Sequence, residues 1–127
     1  MVRDEPLKFT REMTGSLMIQ RVTETAITIN SEAYSQSIAL TPQEVMTNWE
    51  PKPVADLTEP DFDALLSRAP EIVLLGTGRT NVFPPRELLF AFARRGIGLE
   101  CMDTAAAART FNVLATEGRQ VAAVLYL

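Results

Sequence analysis

The chain has 127 residues, 46% of them hydrophobic, with 16 acidic against 12 basic residues and a net charge of −4. That length suits one domain, the apolar fraction supports one real core and argues against disorder, and the acidic balance disfavours nonspecific binding to nucleic acid or anionic lipid. Histidine is absent and cysteine occurs once, which removes any intrachain disulfide, the Ser/His/Asp and Cys/His nucleophile systems and the usual zinc sites.

Residues 1–14 are polar and mixed in charge and are expected to form a flexible arm ahead of a single domain spanning 15–127. The opening MVRDEPLKFTREM has no apolar centre, so no secretory signal is expected, and no apolar run approaches the ~20 residues of a membrane helix. Cytoplasm is the expected location. Leu17 to Val22 predicts a strand, Thr23-Glu24 a turn, and Ala26-Ile27-Thr28-Ile29 a second strand with the two-residue period of a half-buried sheet. A polar break from Asn30 to Ser37 leads to a strand ending at Leu40, and Val45-Met46 with Trp49 suggests one more. These N-terminal strands are expected to be antiparallel, joined by short connections.

The second half changes rhythm. Thr58 is placed to cap a helix with Glu59, Asp61 and Asp63 in its first turn and Phe62, Leu65 and Leu66 on one face. Ile72 to Leu75 is a continuous apolar run, as in a strand covered on both faces. Pro84-Pro85 opens the next helix and Gly96 ends it. Leu88 to Ala93 make that helix apolar around most of its circumference, so a protein partner or a homo-oligomer is expected to cover it unless it is deeply buried. Gly98 to Met102 predicts a strand, Asp103 or Thr104 the cap of a helix ending at Glu117-Gly118, and Val121 to Tyr126 a final strand. The fold class expected is therefore α/β: three layers, a mixed central sheet with helices on its faces, and an antiparallel N-terminal portion.

Two places could carry chemistry. Gly76-Thr77-Gly78-Arg79 lies at a strand's carboxyl end, where ligands of open α/β sheets tend to sit, and Arg79 could meet an anion. The third glycine of a dinucleotide fingerprint is missing and no Lys-Ser/Thr pair makes a P-loop, so a tight structural turn is the favoured reading of the motif. Asp103 and Thr104 open the following helix; Asp103 could act as a general acid or base, although capping alone accounts for it. Arg109, Asn112 and Thr116 fall on one stripe of that helix, readable as a solvated face or as a polar pocket beside the glycine turn. Cys101 reads as a small buried hydrophobe, and Trp49 and Tyr34 as packing residues. No catalytic residue, metal ligand or cofactor is assigned. The candidate binding residues are Gly76, Thr77, Gly78, Arg79, Asp103, Thr104, Arg109 and Asn112.

Several of these residues resemble one widespread family of unknown function. They are Gly76-Thr77-Gly78 after an apolar strand, Pro84-Pro85 before a helix, Gly96-Ile97, Glu100, Met102-Asp103-Thr104, Ala107-Ala108-Arg109-Thr110-Phe111-Asn112 and Glu117-Gly118-Arg119. That family includes small bacterial and archaeal proteins, mitochondrial NADH dehydrogenase (complex I) assembly factor three and the adipogenesis-associated domain protein of animals. The resemblance covers the chain from about Gly15 to Leu127 and implies a three-layer α/β fold around a mixed sheet. It brings no catalytic residue set. It implies a noncatalytic binding or assembly-factor-like domain; the alternative is a small-molecule or anion-binding protein, or an enzyme, with its pocket at the glycine turn and the Asp103 helix start.

Overall fold

The computed structural model describes residues 16–127; the expected arm at 1–14 lies outside the described residues. Two sheets form. Strands β1 (Ile19–Val22), β2 (Ile27–Ile29) and β3 (Glu32–Tyr34) make an antiparallel three-stranded sheet. Strands β4 (Ile38–Thr41), β5 (Glu44–Met46), β6 (Ile72–Gly76), β7 (Gly98–Met102) and β8 (Val121–Leu125) make a five-stranded sheet in the order β5-β4-β8-β6-β7. Strand β4 runs antiparallel to β5 and β8, while β6 runs parallel to β8 and β7. The central sheet is mixed, as expected.

The antiparallel portion divides between the two sheets. Strand β3 falls inside the stretch read as a polar break. Asn30 and Ser31 take left-handed φ values of 47° and 73°, and Ile29 pairs with Glu32. The connection is therefore a two-residue hairpin turn, with serine where glycine is the usual signal.

Three helices complete the layers: α1 (Asp63–Leu66), α2 (Arg86–Arg94) and α3 (Thr104–Thr116). The helix expected from Thr58 begins there, but as a 3-10 turn over Glu59–Phe62 that passes into α1. The Asp61 carboxylate accepts the Thr58 N–H at 2.8 Å and the Lys52 ammonium at 3.0 Å. Burial opposes its ionised form, yet these donors together hold its pKa below the ordinary carboxylate value.

Alternation along β6 explains why its apolar run is unbroken. Leu74 points to the face covered by α3 and the small sheet, among Ile27, Ile29, Phe111 and Leu125. Val73 and Leu75 point to the other face, among Phe62, Leu65, Leu88 and Phe92. Phe62 and Phe92 meet edge to face, with centroids 5.2 Å apart. Helix α2 is not buried all round: Leu88, Ala91 and Phe92 face this core, whereas Leu89 and Phe90 are 37% and 54% exposed.

Candidate functional site

Strands β6, β7 and β8 are parallel, so their carboxyl ends meet at one edge of the central sheet. There the turn after β6, the start of α3 and the β1–β2 turn enclose a cleft of about 580 Å³ lined by Thr77, Gly78, Arg79, Asp103, Thr104 and Glu24, among others.

Thr104 joins the strand ends beneath that cleft. It is 2% exposed. Its Oγ1 accepts the Gly78 N–H at 2.8 Å and donates to the Tyr126 carbonyl at 2.6 Å, and its backbone N–H donates to the Gly78 carbonyl at 2.8 Å. Thr77 does the same for the turn itself. Its hydroxyl donates to the Thr80 carbonyl at 2.6 Å and accepts the Val82 N–H at 3.0 Å. Two glycines serve different ends here. Gly78 has a φ of +99°, which a residue with a side chain adopts only with strain, and nothing crowds it. Gly76 is crowded instead: a Cβ there would lie 2.9 Å from the Thr104 Cα and 3.1 Å from the Ala107 Cβ.

Asp103 caps α3, its Oδ1 accepting the Ala106 N–H at 2.8 Å. Arg79 forms an ion pair with Glu24 at the rim. Both partners are largely exposed, so the pair contributes little to stability. The polar groups of the cleft are thus occupied in holding the fold together. Neither threonine hydroxyl is paired with a base that could activate it. Among the described residues, no three His, Cys, Asp or Glu side chains cluster closely enough to hold a metal ion.

Five of the eight candidate residues, Thr77, Gly78, Arg79, Asp103 and Thr104, therefore converge on one cleft, with Gly76 packed beneath it. Arg109 and Asn112 do not join them. They line a smaller neighbouring groove of about 200 Å³ against β1. Arg109 is exposed, but Asn112 is not on a solvated stripe. Its Oδ1 accepts the Ile19 N–H at 3.0 Å and its Nδ2 donates to the Ile19 carbonyl at 2.8 Å. It extends the hydrogen bonding of β1 onto α3 and so fastens the small sheet to the large one. Asn112→Ala is expected to cost about 1–2 kcal/mol, because two backbone groups lose their partners. Urea denaturation measures it, and an unchanged midpoint would refute this role.

Sequence reasoning missed Glu24 and Tyr126. The Tyr126 hydroxyl donates to the Lys52 carbonyl at 2.6 Å, and burial pushes its pKa up. Glu24 sits 55 residues from Arg79, and no local signal links such distant positions. Cys101 is half-buried in β7. Burial, with Glu100 adding repulsion, pushes its thiol from 9.0 up to about 11. It is therefore protonated at neutral pH, and the native protein is expected to react slowly with alkylating reagents until the pH nears 11, whereas the unfolded chain reacts from about 9. Because the unfolded state loses this proton first, stability falls as pH rises through that window. Rapid native alkylation at pH 8 would contradict the assignment.

The family described as "Protein of unknown function (DUF498/DUF598)" matches residues 19–126, from the first residue of β1 to Tyr126 after β8. The chain belongs to this family. Among solved structures, it is similar to a Bordetella parapertussis protein with a TM-score of 0.81 and 34% identity, covering 89% of this chain and 97% of that one. Among curated proteins, NADH dehydrogenase (ubiquinone) 1 alpha subcomplex assembly factor 3 of Bos taurus is 36% identical over 118 residues, 91% of this chain and 63% of that protein. A "13 kDa major membrane protein" of Francisella tularensis subsp. holarctica (strain LVS) is 31% identical over 72 residues, 57% of this chain and 58% of that protein. The chain thus spans about three-fifths of the length of these curated relatives. No helix among the described residues is long and apolar enough to cross a membrane.

Proposed function

We propose that this chain is a noncatalytic binding domain that assists the assembly of a respiratory complex from the cytoplasmic side. The cleft at Thr77, Gly78, Arg79, Asp103 and Thr104 receives a segment of its client, and the outer face of α2 is its second contact surface, for a protein partner or a second copy of itself. One observation carries this reading: the hydroxyls and carboxylate of the cleft are already bonded within the fold. Such a cleft offers shape and a charged rim, its threonine hydroxyls and one Asp103 oxygen being held by the fold. The similarity to a complex I assembly factor supplies the biological direction. Pull-down from native membrane extract tests it. Respiratory-complex subunits retained by the wild-type chain and lost with Arg79→Ala support the reading; no retained protein overturns it.

A small-molecule or anion-binding role is the second reading, favoured by the volume of the cleft and by Arg79 at its rim. Glu24 stands against it, because an incoming anion would have to displace its carboxylate from Arg79. Glu24→Ala is therefore expected to raise anion affinity. Thermal-shift screening with nucleotides and metabolites reads this, since a ligand at a hundredfold excess over its Kd adds about 2.7 kcal/mol. If no ligand shifts the melting temperature of either protein, this reading is removed.

A further inference from the structure

Two arginines share one groove without a carboxylate to match them. Among the described residues, Lys52, Arg68, Arg79, Arg95 and Arg119 each form an ion pair. Arg21 and Arg109 are exposed, and among the described residues no carboxylate lies within ion-pair reach of either. Both line the groove of about 200 Å³ between β1 and α3, and no acidic residue lines it with them. In a chain of net charge −4, this groove is locally cationic, and its two like charges repel.

The groove continues the cleft, because Val22 and Ala105 line both. Its α3 side carries Ala105, Ala108, Arg109 and Asn112, spaced i, i+3, i+4, i+7 on one helix face. That face rises about 10 Å, the span of about three extended residues. Asn112 marks the far end, where it takes both backbone groups of Ile19. The two ends of this trough differ in charge. At the cleft end Arg79 is matched by Glu24, and Asp103 adds a further carboxylate. At the groove end the two arginines stand alone.

We propose that the groove takes the acidic end of an extended client segment, with two neighbouring Asp or Glu carboxylates against Arg21 and Arg109 and residues without negative charge in the cleft beyond. The inference rests on the cleft receiving a segment of the client, and it names that segment's chemistry. Charge complementarity selects the occupant. A guanidinium fork matches a carboxylate, and the bonds between them are charge-assisted. The reverse placement sets the client's carboxylates against Asp103 and Glu24, which repel them. A basic segment is repelled by the two arginines, and an apolar one leaves both unmatched. Nucleic acid is disfavoured by the acidic balance of the chain, and no aromatic side chain lines the groove to stack a base.

Fluorescence anisotropy of the full chain with labelled peptides tests this. The peptides carry Glu-Glu at one end and serines at the other, made in both orders, beside controls with Gln-Gln. The expected result is binding of a Glu-Glu peptide, weakened by salt, and none of its Gln-Gln control. Arg21→Gln and Arg109→Gln are each expected to weaken it about fivefold, the upper end for exposed charge pairs, with an unchanged melting temperature. Arg119→Gln removes the same charge outside the groove and is expected to leave binding unchanged. No binding of either Glu-Glu peptide at millimolar concentration overturns the inference, as does equal binding of the controls or equal weakening by Arg119→Gln. Succinate that competes as well as the peptide also overturns it, since the groove would then take a free dianion. Respiratory-complex subunits still retained in the pull-down by a chain carrying both Arg21→Gln and Arg109→Gln overturn this inference alone. A chain that binds the peptide but retains no subunit supports this inference and overturns the assembly reading.

Discussion

Gly76→Ala destabilises the protein by about 3 kcal/mol, the upper end of what overpacking costs in a filled interior. The added methyl would lie 2.9 Å from the Thr104 Cα, 3.1 Å from the Ala107 Cβ and 3.1 Å from the Leu125 Cδ2. Leucine can rotate away. A backbone Cα cannot, so the first turn of α3 must lift from the sheet. That movement strains the bonds from Thr104 to Gly78 and Tyr126 as well. For a domain of this size the melting temperature is expected to fall by roughly 10 °C or more. Gly78→Ala provides the contrast. Nothing lies within 4 Å of its added methyl, and the cost is that of its φ of +99°, about 1–2 kcal/mol. A larger loss at Gly78 than at Gly76 would contradict this assignment of the two glycines.

Thr104→Val is the second large effect, at about 2–3 kcal/mol. Valine keeps the branched shape and removes the hydroxyl, leaving the Gly78 N–H and the Tyr126 carbonyl without their partner. Each orphaned, partly buried group costs on the order of 1 kcal/mol or more. Thr104→Ser keeps the oxygen and is expected to recover most of the loss. The test is the urea midpoint at constant m-value. If valine and serine behave alike, the hydroxyl does not hold the strand ends.

These two residues also show how far the sequence carried. The strand at Ile72 to Leu75, the turn after it, the Asp103 cap and α3 were all legible, because each is marked locally by apolar period, glycine or capping residue. Gly76 and Thr104 were singled out together, but as parts of a binding site. Their contact with each other depends on how closely α3 packs on β6, and that distance leaves no trace in the pattern. Asn112 shows the same limit: its partner, Ile19, lies 93 residues away, and an asparagine on a helix reads as solvated until that partner is in place. Strand β3 was hidden for a local reason, since Asn30-Ser31 lacks the glycine that usually announces a two-residue hairpin. Helix α2 reads in the sequence as apolar around most of its circumference; the structure divides that surface into a core face and an outer face, because Leu89 and Phe90 point away from Leu88 and Phe92.

The proposed role of the domain is binding during assembly of a respiratory complex, without catalysis. Native gel electrophoresis of membranes from cells deleted for this chain tests it most directly. The fully assembled complex is expected to be lost and its subassemblies to accumulate, with rescue by the wild-type chain and not by Arg79→Ala. Normal assembly in the deleted cells would contradict it.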